Sequence, residues 1–339
     1  MKTEMERAAE CFGESLLCEE ACMTETKGKP VHHKDLLKKA QKTAAQGNTQ
    51  EALAAFASCI REYLRARMPF KALAAAKVAR VSLKGHPRAQ AMLIKLLVTM
   101  DLQGDASEEF LLASASWKKE EVSIFKGLSM REFTDLLEIM EVIRVKKGSY
   151  ITIQGGKGED IYVIISGTVE VLQDNRLINT LKPGAVFGEL GFFSRGIRTA
   201  TIRATEGSEL VVIPPKGLRE LCLRHEALRN AIDELYSERI LKKAMEDLQG
   251  THIRELNRHT LAGLRFPKGH IIPMSSTEDI SIIKYGTVEI NYDEKGLPVK
   301  RFLKPGNVIW NFKGTARAST EVEVIRAGVA STELPDDRE

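Results

Sequence analysis

Glu189 and Arg198 stand nine residues apart within the stretch Lys182–Ala204, and together they are the side chains best suited to hold a small charged molecule. The stretch opens on a turn, Lys182-Pro183-Gly184, and reaches a close backbone approach at Phe187-Gly188. Glu189, Leu190 and Gly191 then begin a short helix-like turn, whose free N–H groups favour an anion. Arg198 follows, with Thr199 and Ala200 beside it, before a strand-like alternation over Thr201–Ala204. A guanidinium offers a planar fork of donors that matches two oxygens of one phosphate. A carboxylate accepts from a hydroxyl. A donor fork, free amides and one acceptor suit an anion that also bears hydroxyls, such as a sugar phosphate. The two side chains could instead satisfy each other, since either one buried alone is costly.

No Ser/His/Asp arrangement or metal-ligand spacing competes with this pair. Cys18 and Cys22 lie one helical turn apart with Cys11 seven residues back, but no fourth ligand stands at a recognised spacing and His32-His33 are loosely placed. These cysteines, with Cys59 and Cys222, read as reduced and unpaired. No catalytic residue and no metal site is assigned, and the chain is not expected to be an enzyme. Hydrophobic residues make up 43% and charged residues 28% of the 339, which describes a water-soluble protein with room for two or three cores. The start, MKTEMERAAE, lacks the apolar segment of a signal peptide, and no apolar run is long enough to span a membrane. A cytoplasmic location is the expectation. Residues 1–26 carry seven acids against two bases, whereas residues 30–100 carry thirteen bases against three acids. Such a block could meet an acidic partner, a nucleic acid or an anionic membrane. Its bases are scattered, with few aromatics between them. That favours the solvated face of a helical hairpin over nucleic-acid binding, with the acidic leader folded back on it.

The elements that must position the pair follow in order. Residues 1–30 read as an acidic, helix-prone leader ending at Lys27-Gly28-Lys29-Pro30. Residues 31–112 have a helical period, with helices expected from Lys34, over Thr49–Arg67, over Pro69–Ser82 and over Arg88–Met100, the block closing at Gln103-Gly104-Asp105. The segment Gly47–Phe56 resembles the second half of a tetratricopeptide repeat, a unit that usually binds proteins. A helix over Arg131–Met140, capped by Ser129 with Glu132, introduces the next region. There the period changes to two, with glycine-rich turns at Gly148, Gly155-Gly156, Gly167 and Gly184, as in a compact β-roll. The helical period returns over residues 216–248, with a break near His225. An internal repeat then appears. Lys147-Gly148 recurs as Lys268-Gly269, Glu159-Asp160-Ile161 as Glu278-Asp279-Ile280, Gly167–Glu170 as Gly286–Glu289, and Leu181–Gly184 as Leu303–Gly306. Two rolls are therefore expected, one in residues 118–250 and one in residues 251–332, with a polar tail at 333–339.

Phe187-Gly188-Glu189-Leu190-Gly191 followed by Arg198-Thr199-Ala200, set among these glycine turns, resembles the cyclic nucleotide-binding domain. That fold is shared by kinase regulatory subunits, cyclic-nucleotide-gated channels and the catabolite activator protein family. The resemblance implies an α+β chain: two β-roll (jelly-roll-like) cyclic nucleotide-binding domains with flanking helices, preceded by an α-helical hairpin domain. It also implies a ligand site at Gly188, Glu189, Leu190, Gly191, Arg198, Thr199 and Ala200. Arg198 would take the cyclic phosphate and Glu189 the ribose 2′-hydroxyl. Thr199 can reach a guanine amino group or the phosphate, so the ligand is cAMP or cGMP, with cAMP favoured and no other cofactor. Leu235 or Tyr236, in the helix after the roll, would cap the base.

The second copy has Trp310-Asn311 where Gly188-Glu189 stood, and only six residues separate Asn311 from Arg317. It reads as a roll without a site. The function expected is a sensor that binds one nucleotide in the first roll and passes a conformational change to a protein partner through the helical domain. The alternative is a scaffold that works through its helices without nucleotide. No segment of the Arg-Arg-X-Ala/Ser type precedes the first roll, which departs from kinase-inhibiting relatives.

Overall fold

The computed structural model of the protein describes residues 33–193, 196–248, 253–273, 279–294, 297–309 and 314–331. The acidic leader, Cys11, Cys18, Cys22, Trp310-Asn311 and the tail at 333–339 lie outside the described residues.

Five helices open the described chain: α1 (His33–Ala45), α2 (Thr49–Arg65), α3 (Pro69–Ser82), α4 (Pro87–Thr99) and α5 (Gln103–Ser116). Asn48 caps α2 by accepting from the Glu51 N–H, and proline opens α3 and α4, where its fixed φ suits a first turn. α2 to α5 each end on a residue in the left-handed region, at Arg67, Lys84, Asp101 and Lys118, a constant step of 17 residues. Each closes the same way: the Met68 N–H, for example, bonds back to the Tyr63 carbonyl and the Arg67 N–H to the Leu64 carbonyl. Alanines at 72, 75, 76 and 79 let α3 approach α2 and α4 closely, around Phe56, Ile60, Met92 and Leu96. The expected end of the block at Gln103–Asp105 is corrected here. The chain breaks earlier, at Asp101 (φ 58°), and Gln103 opens a fourteen-residue helix with Asp105 in its first, dipole-favoured turn.

The helix α6 (Met130–Ile139) begins with a complete Ser129/Glu132 capping box. Eight strands follow: β1 (Glu141–Val145), β2 (Tyr150–Thr152), β3 (Ile161–Ser166), β4 (Val169–Gln173), β5 (Arg176–Leu181), β6 (Val186–Phe187), β7 (Thr201–Ala204) and β8 (Ser208–Ile213). They form two antiparallel sheets, ordered β1-β8-β3-β6 and β2-β7-β4-β5, whose inner faces meet around Ile164, Val169, Phe187, Ile202 and Leu210. A one-turn helix, α7 (Glu189–Phe193), lies between β6 and β7. After β8 come α8 (Pro215–Arg224) and α9 (Glu226–Asp247), broken at His225 as expected. That break is tied down. His225 Nε2 sits 2.8 Å from Asp135 Oδ2, and Lys95 Nζ lies 2.7 Å from both Asp135 Oδ1 and Glu138 Oε2.

The second group of strands is β9 (Ile253–Phe266), β10 (Asp279–Tyr285), β11 (Val288–Glu294), β12 (Leu297–Leu303), β13 (Val308–Ile309), β14 (Gly314–Ala318) and β15 (Val322–Ser331). Their orders, β9-β15-β10-β13 and β12-β11-β14, repeat those of the first two sheets strand for strand, except that the counterpart of β2 is reduced to a single bridge, Ile271 to Arg317, where β2 pairs Tyr150 with Arg203. The repeated turn glycines repeat their backbone too: φ is 82° and 89° at Gly148 and Gly269, and 87° and 85° at Gly167 and Gly286.

The chain divides into two compact units. One comprises residues up to Ile153 with Asp160–Phe187 and Ala200–Ala231. The other comprises Gln154–Glu159, Gly188–Thr199 and Ile232 onward. The loops bearing Gly158, Glu189 and Arg198 thus group with α9 and the second pair of sheets. Among the described residues, no helix is long and apolar enough to cross a membrane.

Candidate functional site

Strand β6 delivers the chain to the site. Phe187 is fixed by stacking on Tyr162, with ring centres 4.9 Å apart and planes at 9°. Gly188 then turns at φ 93°, a conformation that side chains resist, and its carbonyl accepts from the N–H groups of Gly191 and Phe192 to start α7. The return leg is clamped on both sides. The Gly158 N–H bonds to the Gly196 carbonyl at 2.8 Å, the Arg198 N–H to the Gly156 carbonyl at 2.9 Å, and the Gly155 N–H to the Arg198 carbonyl at 2.8 Å.

Those loops form a slot for one guanidinium. Arg198 is only 6% exposed, and its Nη1 donates to the Gly188 carbonyl at 3.3 Å. A Cβ on Gly158 would fall 2.7 Å from Arg198 Nε and 2.8 Å from Nη2, and one on Gly191 would fall 3.1 Å from Nη1. Both positions must therefore be glycine for the guanidinium to lie where it does. Glu189 is 3% exposed, and its Oε1 lies 3.4 Å from Nε of Arg239 on α9. Burial raises the Glu189 carboxyl above its ordinary range, while the charges of Arg239 and, more weakly, Arg198 and a backbone hydrogen bond pull it down. Each side chain has a partner within the chain, Arg239 for the acid and the Gly188 carbonyl for the base, and the Arg198 charge also acts on Glu189.

Of the residues expected at the site, Gly188, Glu189, Gly191 and Arg198 are brought together. Leu190 is half-buried and packs with the apolar cluster of Tyr236, Ile240 and Ile280. Thr199 is exposed, and the Ala200 carbonyl accepts from the Thr152 hydroxyl at 3.2 Å. Neither expected base cap is free to serve in this arrangement. Leu235 is buried, and Tyr236 is wholly buried, with its hydroxyl donating to the Lys284 carbonyl at 2.7 Å. Two residues that sequence reasoning missed complete the site, Gly158 and Arg239. Gly155-Gly156-Lys157-Gly158 was legible only as a turn, and nothing in the sequence around Arg239 marks it. Arg317, which the sequence spacing set against Arg198, instead takes the place of Arg203: it lies opposite Glu289 on β11 as Arg203 lies opposite Glu170 on β4, and it is exposed, donating to the Gly269 carbonyl at 3.0 Å. Among the described residues no group of His, Cys, Asp or Glu could hold a metal ion.

Residues 142–225 match the family model described as the cyclic nucleotide-binding domain. The cAMP-dependent protein kinase type II regulatory subunit of Drosophila melanogaster is 26% identical over 182 residues, 53% of this chain and 47% of that protein. The cGMP-dependent protein kinase 2 of Rattus norvegicus is 33% identical over 100 residues, 30% of this chain and 13% of that protein. Among solved structures, the regulatory domain of Toxoplasma gondii PKA with cAMP is 16% identical, covering 62% of this chain and 86% of that one at a TM-score of 0.31. The chain thus spans about half or less of the length of these two curated relatives. Residues 142–225 thus match the cyclic nucleotide-binding domain, in a chain similar to the regulatory subunits of cAMP-dependent protein kinases.

Proposed function

We propose that this chain is a cyclic nucleotide sensor of regulatory type. It binds one nucleotide at Glu189 and Arg198 and passes the event to a protein partner through α9 and the N-terminal helices. The observation that carries the reading is the slot of Gly158, Gly188 and Gly191 around the buried Arg198, with the buried carboxylate of Glu189 beside it. In the bound state the guanidinium turns from the Gly188 carbonyl to the two free phosphate oxygens, a stronger, doubly charge-assisted contact. Glu189 accepts the ribose 2′-hydroxyl, for which it must be ionised, and Arg239 favours that state. Because Arg239 sits on α9, occupancy of Glu189 and placement of that helix are linked, and differential affinity for two placements is all a population shift requires.

cAMP is favoured over cGMP, the location is cytoplasmic, and the partner is a protein. The 17-residue step of α2 to α5 puts two helices in 34 residues, the length of a tetratricopeptide repeat, and supports protein binding by that block. The second pair of sheets is assigned no ligand. Glu189 and Arg198 have partners within the chain, an observation that favours the second reading: a scaffold whose roll works without nucleotide. Thermal shift with cAMP, cGMP and AMP separates the two. Stabilisation by a cyclic nucleotide but not by AMP, lost in Arg198→Ala, supports sensing, and no shift with any of the three supports the scaffold.

A further inference from the structure

Between α9 and β10 lies a polar cluster around the buried Lys284, with the Asp233 side chain half-exposed, that the nucleotide site does not use. Lys284 Nζ is 2.7 Å from Asp233 Oδ2 on α9 and 3.3 Å from Glu323 Oε1 on β15, and Lys284 is only 7% exposed. The Tyr285 hydroxyl donates to the other Asp233 oxygen at 2.7 Å. The Tyr236 and Tyr285 rings stack at 5.0 Å and 12°, and Phe193, the last residue of α7, packs against both, with ring centres at 4.3 and 5.4 Å.

A buried ammonium held by two carboxylates is strongly position-dependent, because displacing either partner leaves a charge uncompensated away from water. Asp233 is bonded through both of its oxygens, so neither a slide nor a rotation of α9 along β10 preserves the cluster. Arg239 lies six residues beyond Asp233, under two helical turns, so any such movement displaces it from Glu189. Through Phe193 the same cluster touches the far end of α7, whose first residue is Glu189.

We infer that Asp233, Lys284 and Tyr285 are positioning residues for the Glu189 site: β10 holds α9 so that Arg239 stays on the buried carboxylate. This gives the second pair of sheets a task that needs no ligand of its own. The inference rests on the reading of Glu189 as the acceptor of a nucleotide hydroxyl. The charged or titratable groups around Glu189 are Arg239 on α9, Arg198 on the return leg and Tyr236 on α9.

The test uses the full chain as wild type, Lys284→Met, Tyr285→Phe and the conservative Lys284→Arg. Each is titrated with cAMP across pH and followed by amide hydrogen exchange over Glu189–Phe193. In Lys284→Met, cAMP affinity should fall about tenfold, exchange over Glu189–Phe193 should rise, and the pH below which affinity fails should move upward as Arg239 ceases to hold Glu189 ionised. Tyr285→Phe should show the same changes more weakly, and Lys284→Arg should resemble wild type. A Lys284→Met protein with lowered Tm but unchanged affinity, pH profile and exchange would overturn the inference. If wild type takes up no cyclic nucleotide, the reading of Glu189 fails, and exchange over Glu189–Phe193 still decides: a rise in Lys284→Met upholds the positioning role, no change refutes it.

Discussion

Replacing Gly158 with alanine should damage nucleotide binding while sparing the fold. The new Cβ would stand 2.7 Å from Arg198 Nε and 2.8 Å from Nη2. Ordinary carbon contacts need about 3.5 Å, so the guanidinium must retreat by roughly 1 Å. It is the far end of a flexible side chain and can move without dragging the backbone. Gly158 is not in the left-handed region, so alanine costs no backbone strain there and slightly restricts the unfolded chain. The Tm of the ligand-free protein should therefore stay the same or rise slightly. The displaced fork can no longer meet both phosphate oxygens. Losing hydrogen bonds to a charged group costs about 1.5–3 kcal/mol, or roughly 10- to 150-fold in Kd. Calorimetric titration with cAMP, beside a ligand-free thermal melt, reads both quantities. A Kd within about twofold of wild type would show that Arg198 as placed is not the phosphate ligand, and the slot argument would fall.

Three further outcomes follow from the same structure. Glu189→Gln replaces the ionised acceptor with a neutral amide oxygen, so the preference for cAMP over its 2′-deoxy analogue should shrink in this variant and vanish in Glu189→Ala; an alanine variant that still discriminates would place the hydroxyl contact elsewhere. At Asp135 burial raises the carboxyl, but Lys95 and His225 outweigh it and hold it below its ordinary range. Its stabilising contribution is therefore present above the unfolded value and lost as pH falls through the folded one. Asp135→Asn should cost about 3 kcal/mol at neutral pH, a deficit in chemical denaturation that shrinks in acid. His86, whose imidazole caps α4 by accepting from the Arg88 N–H, is pushed down to about 4 by burial and by the Arg88 charge. The unfolded chain then takes up the proton first, so stability should fall between pH of about 6.5 and the folded value. His86→Asn keeps a cap and should flatten that stretch of the pH–stability curve.

Where neighbours in the sequence decide the structure, the sequence could be read closely. Pro69 and Ser82 bound α3 as expected, because a proline at the first helical position and the apolar period are local signals. Ser129 and Glu132 form their capping box, and the chain breaks at His225. The repeated glycines foretold repeated turns because each needs the same positive φ. α5 was missed for a local reason as well: Gly104-Asp105 looks like a terminator, but the break had already occurred at Asp101, a residue type that enters the left-handed region without announcing it. At the site, the motif spacing located Glu189 and Arg198 but could not name their partners. Arg239 is 50 residues from Glu189, and nothing in the local sequence of α9 tells which of its charged residues will face a buried carboxylate. Tyr236 is not placed as a base cap here for the complementary reason: its aromatic ring fits a base and a protein core equally well, and it packs in one cluster with Tyr285 and Phe193.

The central claim is that one cyclic nucleotide binds at Glu189 and Arg198. Calorimetric titration of the full chain with cAMP and with cGMP tests it most directly. The account predicts saturable binding of one nucleotide per chain, tighter for cAMP, and abolished in Arg198→Ala. Absence of heat with both ligands, or binding that survives in Arg198→Ala, would contradict it.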